Sequence, residues 1–341
     1  MNVKTVYIEI TNRCNFNCRT CYNRSGLNRQ TKELSIKQIE EIFEFLSAYG
    51  ANRFLISGGE PTLHSEFDAL IDLIDAYPQY SFGFVTNGSS RNQKFIDLLN
   101  RNNNLTLQIS LDGSCEERNA LTRGRGHFES TIDFIKMINN NSLRPLLKMV
   151  VSQCNLDDVE NFYRLAVSLN CVPEFAFIYK SGNGEEDWEK KRVSAQDKLK
   201  ILKLIDKLNS QYQIEAYLPK CTSRCPFSKG AENMSVCIKV DGSIQPCQTL
   251  YSSAYTLGNV FSSSEEEILH NLSQIIHLAQ KRTTEDYGCS KCILRDICGK
   301  GCMAEASLIS GDPLGADESC LYRKLQFLNF DILKEQKNDS N

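Results

Sequence analysis

Long hydrophobic runs are missing from this 341-residue chain, and no apolar stretch approaches the ~20 residues that a membrane-spanning helix needs. The opening MNVKTVYIEI also lacks the charged-then-apolar order of a secretory signal, so the sequence reads as a cytoplasmic protein without a membrane partner. Excess charge is absent too. Lys and Arg number 39 against 42 Asp and Glu, a formal net charge of −3, which leaves no basic field to hold nucleic acid. Tryptophan occurs once, at position 188, and neither internal repeats nor low-complexity segments interrupt the chain. With 41% hydrophobic and 24% charged residues the composition is globular, and the length suffices for two cores.

Against these absences stand 15 cysteines. Disulfide frameworks belong to small exported domains, so reduced thiolates that bind metal are the expected use here. Their placement is uneven. Positions 14, 18, 21, 115, 154 and 171 are spread over the first part, whereas 221, 225, 237, 247, 289, 292, 298, 302 and 320 crowd the remainder.

Up to about residue 180, short β-rich runs at 6–11, 53–57, 81–86, 105–111, 147–152 and 174–179 alternate with amphipathic stretches at 36–50, 67–77, 94–101, 130–138 and 158–169. Such alternation predicts an α/β fold with a parallel sheet, either open and doubly wound or part of a barrel. The polar stretch KSGNGEEDWEKKR (180–192) reads as an exposed connector, with Trp188 free to cover the barrel mouth or a partner surface. Ser194 then caps a helix with Leu199, Leu202, Ile205 and Leu208 on one face. After Pro219 turns and cysteines dominate, and two domains are expected, 1–205 and 206–341. Within the second, Cys225 and Cys247 frame a hairpin, SVCIKVDGSIQPC, with Asp241-Gly242 as its turn, and Ser264 with Glu267 forms a capping box.

Cys14-x3-Cys18-x2-Cys21 follows directly on the first strand, where α/β folds place their chemistry. Three soft ligands in one loop suit an iron–sulfur cluster with one iron left open, or a zinc site completed from elsewhere. Ser57-Gly58-Gly59-Glu60-Pro61 ends the second strand, its glycines allowing close backbone approach to a ligand and Glu60 able to position an amine. Thr86-Asn87-Gly88 and Ser110-Leu111-Asp112-Gly113 end the third and fourth strands at the same rim. Four such endings in succession point to a cofactor rim. Near the C-terminus, Cys289-x2-Cys292-x5-Cys298-x3-Cys302, with Gly299 and Gly301, is a metal loop of zinc-ribbon or iron–sulfur type. Cys115, Cys154 and Cys171 read as buried small apolar residues, and His64 and His127 as structural.

Taken in order, CNFNCRTC (14–21), SGGEP (57–61), TNG (86–88) and SLDG (110–113) resemble the radical S-adenosylmethionine (radical SAM) superfamily over roughly residues 1–185. The resemblance implies a partial (β/α)6 TIM-type barrel in which Cys14, Cys18 and Cys21 hold a [4Fe–4S] cluster. It further implies S-adenosylmethionine on the open iron, with Gly58, Gly59 and Glu60 beside its methionine end and Asn87 on the same rim. Ser110 and Asp112 match the ribose region, and Arg123 the carboxylate partner. The position before the third cysteine, commonly aromatic in the family, is Thr20 here, with Tyr22 after Cys21. The implied reaction is reductive cleavage of S-adenosylmethionine to a 5′-deoxyadenosyl radical that removes a substrate hydrogen atom, fed by a flavodoxin- or ferredoxin-type electron donor.

Gly242-x4-Cys247, the four-cysteine loop and Cys320 resemble the SPASM extension of radical SAM enzymes over about residues 219–325. This implies a small cysteine-rich α+β iron–sulfur domain with two auxiliary [4Fe–4S] clusters, three clusters in all. Cys289, Cys292, Cys298 and Cys320 would hold the outer one, and Cys225, Cys247, Cys302 and Cys221 the inner one, with Cys237 competing for the last place. Enzymes of this kind commonly mature ribosomally synthesised peptides, and the expected function is such an oxidoreductase. The first strand begins near residue 4, so recognition of a leader peptide is expected from elsewhere than an N-terminal winged helix. The alternative is a dehydrogenase, decarboxylase or epimerase acting on a sugar, aminoglycoside or nucleoside. Sulfatase maturation fits less well, because Gln248 replaces the Asp that follows the hairpin cysteine in that group. A non-enzymatic zinc module or electron carrier leaves CNFNCRTC, SGGEP and SLDG as coincidences.

Overall fold

The β-rich runs form six parallel strands in a computed structural model that describes residues 1–26, 30–102, 104–138, 142–216, 225–284, 289, 291–294 and 298–325. They are β1 (Val3–Thr11), β2 (Arg53–Gly58), β3 (Ser81–Thr86), β4 (Thr106–Ser110), β5 (Leu146–Val151) and β6 (Val172–Phe177), each paired with its sequence neighbour. Helices return the chain between them: α1 (Ile36–Ser47), α2 (Phe67–Ala76), α3 (Gln93–Arg101), α4 (Glu116–Arg123) and α5 (His127–Met137) together after β4, and α6 (Val159–Ser168). This is the expected partial TIM-type barrel. Period-two alternation decides its two faces: Val6, Ile8 and Ile10 of β1 join Ile39, Ile42, Phe43 and Leu46 of α1 in one apolar cluster, while Tyr7, Glu9 and Thr11 take the opposite face. The polar EERNALTR of α4 carries too few apolar residues to show helical period, which is why the sequence did not reveal it.

Beyond the barrel strands the expected hairpin is present as β7 (Met234–Ile238) and β8 (Ser243–Gln245), with Gly242 at φ +82° in its turn. Its position was not expected. β7 pairs in parallel with β1, Tyr7 opposite Cys237, so the cysteine-rich region extends the barrel sheet. With β9 (Gly258–Asn259) the sheet counts nine strands among the described residues, in the order β6-β5-β4-β3-β2-β1-β7-β8-β9.

The connector is also different from its expected form. Residues Gly182–Glu185 make a 3-10 turn, α7 (Trp188–Lys191) follows, and both Trp188 and Lys191 are buried. In α8 (Ala195–Tyr212) Ser194 caps as expected, its Oγ accepting from Asp197 N at 3.1 Å. Leu202, Ile205 and Leu208 are buried, but Ile201 takes the inner place and Leu199 lies at the margin. Ser264 Oγ accepts from Glu267 N at 3.2 Å at the start of α9 (Glu265–Thr284), and α10 (Met303–Ser310) follows the last cysteine loop. Among the described residues no helix is long and apolar enough to cross a membrane.

Candidate functional site

The loop after β1 carries Cys14, Cys18 and Cys21, all half-buried. It is tied to every neighbouring strand end. Thr11 O accepts from Gly59 N and Arg13 O from Glu60 N, both at 2.7 Å. A Cβ on Gly58 would lie 2.3 Å from Thr11 O, and one on Gly59 2.1 Å from Arg13 O. The close approach these glycines permit is therefore to the cysteine loop itself. Asn87 Nδ2 donates to Asn15 Oδ1 at 2.9 Å and reaches Cys14 Sγ at 4.0 Å. Glu60 is fully buried, and its carboxylate accepts from Asn87 N at 2.7 Å, Thr86 Oγ1 at 2.8 Å and Thr62 Oγ1 at 2.7 Å. Burial raises its pKa while these donors oppose the rise. Glu60 thus closes the ends of β2 and β3 against each other.

On the other side of the rim, Asp112 is fully buried and accepts from Thr20 Oγ1 at 3.3 Å, Thr122 Oγ1 at 3.0 Å and Val150 N at 2.8 Å. Its main partner is Arg123, with Nε 3.0 Å from Oδ2 and Nη2 3.1 Å from Oδ1. With its oxygens so engaged, Asp112 acts on the rim through Arg123, whose Nη1 lies 3.9 Å from Cys18 Sγ. Burial pushes the Cys18 thiol up to about 11 against the pull of Arg123, and the Cys14 thiol up to about 12. Ser110, half-buried at the tip of β4, stands opposite Lys148 of β5. His127 lies in α5, buried against Phe16; burial first and Arg123 second push its pKa down to about 2. His64 is structural as expected, its Nε2 on Leu34 O at 2.7 Å. Cys171 is buried as expected, but Cys115 is half-buried at the start of α4 and Cys154 is exposed.

The buried connector closes on this loop. Asn183 N donates to Cys21 O at 2.8 Å, Asn183 Nδ2 to Cys18 O at 2.9 Å, and Lys191 Nζ to Arg19 O at 3.3 Å. Beneath it, Glu9 of β1 accepts from Tyr251 Oη at 2.5 Å and Tyr22 Oη at 3.5 Å, with Cys237 Sγ 4.0 Å away. Tyr251 Oη also lies 2.9 Å from Asn23 Oδ1, and Lys239 Nζ sits 3.8 Å above its ring. This network joins the residues after Cys21 to those after Cys247. Cys237 faces Glu9 from β7, and Cys221 lies outside the described residues.

The C-terminal cysteines fall into two sets. Cys225, Cys237 and Cys302 all lie close enough to Cys247 for its charge to raise their thiols, Cys302 to about 12, with burial the larger cause in each. Cys289, Cys292, Cys298 and Cys320 line one cavity together with Lys300, Arg323 and Lys324. Arg282 is fully buried and donates to Gly301 O at 2.6 Å, Lys300 O at 2.7 Å and Gly315 O at 2.9 Å, which holds the loop between the sets. The donor chemistry fits iron–sulfur ligation: each set is made of thiols, and N–H groups approach sulfur in all three. Besides those of Asn87 and Arg123, they are Leu250 N to Cys247 Sγ at 3.3 Å and Arg323 Nε to Cys298 Sγ at 3.0 Å.

Comparison with known proteins agrees with this chemistry. The profile of the Radical SAM superfamily matches residues 8–166, and that of the SPASM iron–sulfur cluster-binding domain matches residues 216–293. The chain is a radical SAM enzyme with a SPASM domain. It depends accordingly on S-adenosylmethionine and iron–sulfur clusters. The radical SAM enzyme is 26% identical over 323 residues to the mycofactocin maturase MftC of Mycolicibacterium smegmatis, covering 92% of this chain and 81% of the maturase. Its fold matches anSMEcpe with bound AdoMet at a TM-score of 0.75 and 18% identity, over 99% of both chains. It matches Streptococcus suis SuiB bound to the precursor peptide SuiA at 0.73 and 16% identity, over 94% of this chain and 76% of SuiB.

Sequence reasoning about this enzyme missed Glu9, Asn183, Lys191, Tyr251, Arg282 and Arg323. For Glu9 a signal existed, a lone carboxylate in the apolar run VYIEIT. Arg323 follows Cys320 by three residues, but nothing in the sequence marks Arg282.

Proposed function

We propose that this enzyme matures a ribosomally synthesised peptide as an oxidoreductase, with three [4Fe–4S] clusters. The similarity to a peptide maturase along most of both chains carries the reading and favours a peptide over a sugar, aminoglycoside or nucleoside. Cys14, Cys18 and Cys21 would hold the first cluster, with Gly58, Gly59, Glu60, Asn87, Ser110 and Arg123 around S-adenosylmethionine and Asp112 positioning Arg123. Cys225, Cys247 and Cys302, with Cys221, would hold the inner auxiliary cluster, and Cys289, Cys292, Cys298 and Cys320 the outer one. When bound, S-adenosylmethionine and its reduced cluster supply hydrogen-atom abstraction from an unactivated carbon.

The chain's own part is positional. Glu60 and Asp112 keep the strand ends and Arg123 in place through buried hydrogen bonds, and Asn183 and Lys191 hold the connector against the loop. Electrons would come from a flavodoxin- or ferredoxin-type donor, in the reducing cytoplasm that so many thiols suit.

The test is anaerobic reconstitution, with iron analysis and assay of 5′-deoxyadenosine after addition of dithionite and S-adenosylmethionine. About twelve irons per chain and 5′-deoxyadenosine are expected, the nucleoside absent from the variant with Cys14→Ala, Cys18→Ala and Cys21→Ala. A short peptide encoded beside the gene should then change mass in an S-adenosylmethionine-dependent way. Turnover stimulated by small sugars or nucleosides and by no such peptide would overturn the reading.

A further inference from the structure

Arg323, which lines the outer cysteine cavity, and its partner Asp317 have side chains that are each only 1% exposed, so two full charges are withdrawn from water. A buried pair of this kind adds little stability compared with apolar packing, so stability alone does not account for it. The geometry does. Arg323 Nη1 donates to Asp317 Oδ2 at 2.8 Å and Nη2 lies 2.6 Å from Oδ1, which fixes the guanidinium plane. With the plane so held, Nε points at Cys298 Sγ, 3.0 Å away. Asp317 Oδ2 also accepts from Cys302 N at 2.6 Å, so the pair bridges a cysteine of the outer set and one of the inner set. Room for it depends on Gly301, where a Cβ would lie 2.2 Å from both Arg323 Nη1 and Asp317 Oδ2.

An N–H···S bond and a fixed cation at a cluster's thiolate favour its reduced, more negative state, and the low dielectric of a buried site strengthens both effects. We propose that Arg323, oriented by Asp317, raises the reduction potential of the iron–sulfur cluster bound by Cys289, Cys292, Cys298 and Cys320. The half-reaction affected is the one-electron reduction of that cluster, in which no bond is made or broken and no proton moves. The proposal rests on the cysteine assignment given under Proposed function. Arg323 is a positioning and tuning residue, since it reaches the cluster through a ligand.

The test is a redox titration of the anaerobically reconstituted full-length chain, with dithionite as reductant and electron paramagnetic resonance as readout. The variant with both Arg323→Met and Asp317→Leu removes the pair without leaving an orphan charge. Arg323→Lys keeps the charge but loses the planar fork. One of three midpoints should move negative in the double variant and by a smaller amount in Arg323→Lys, with the other two unmoved. Arg164→Met, at an exposed ion pair with Glu160, should move none. Three unmoved midpoints at wild-type iron content overturn the proposal. Loss of one cluster's iron from both Arg323 variants also overturns it, because the pair is then only structural. A wild-type chain that shows fewer than three midpoints defeats the cluster assignment itself, a separate result.

Discussion

Burial holds the Glu9 carboxyl protonated up to about pH 7, although Tyr251, Lys239, Asn23 and Tyr22 all favour its ionised form. In the unfolded chain the same group titrates near 4.5, so between 4.5 and about 7 the native state binds the extra proton. The stability this contributes is present at low pH and is lost as pH rises through that window. Glu9→Gln keeps the hydrogen-bonding shape without the charge. It should therefore be more stable than the wild type above pH 7, by up to about 3 kcal/mol, with the advantage fading toward acid. Anaerobic urea unfolding across the window checks this, and a pH-independent difference would refute it. At this scale the sequence marked the thiols and rim residues as candidates, because motif spacing is local. It did not show that Asp112 and Glu60 are engaged inside the protein, since their partners come from α4, β3 and β5.

Among the elements, the connector changes most between sequence and structure. KSGNGEEDWEKKR has no apolar period, so it reads as exposed, yet it is held by polar contacts that no hydrophobic pattern can report. Gly182 has φ +59°, and a Cβ there would lie 2.4 Å from the carbonyl oxygens of both Cys21 and Tyr22. Gly182→Ala should therefore lift the connector from the cysteine loop at a local cost of about 1–3 kcal/mol. The expected result is faster loss of iron from the reconstituted protein with an unchanged far-ultraviolet circular dichroism spectrum. Wild-type iron retention would show that the connector does not brace the loop. The barrel strands and most helices were legible because each carries its own period. α4 was not, because its polar helix is specified by the Asp112–Arg123 pair and by packing against α5.

For the whole molecule the decisive contact is β7 on β1. Without β7, the β1 edge from Val3 to Ile8 is an unpaired row of backbone donors and acceptors, and Tyr251 no longer covers Glu9. A fragment ending at residue 216 should therefore self-associate, seen as large species in gel filtration, whereas the full chain should not. A monodisperse fragment would show that the barrel closes without its extension. What the sequence by itself determined is whatever local pattern encodes: the order of strands and helices, the close-set cysteines of the first loop and of the C-terminal loop, and the hairpin with its Asp241-Gly242 turn. Only the tertiary structure decided that the hairpin continues the barrel sheet, that the connector covers the first cysteine loop, and that Glu9, Arg282 and the Arg323–Asp317 pair sit where they do. The physical reason is that a lone charged residue has no periodicity. Its partners are chosen by folding, which brings together groups as far apart as Glu9 and Tyr251.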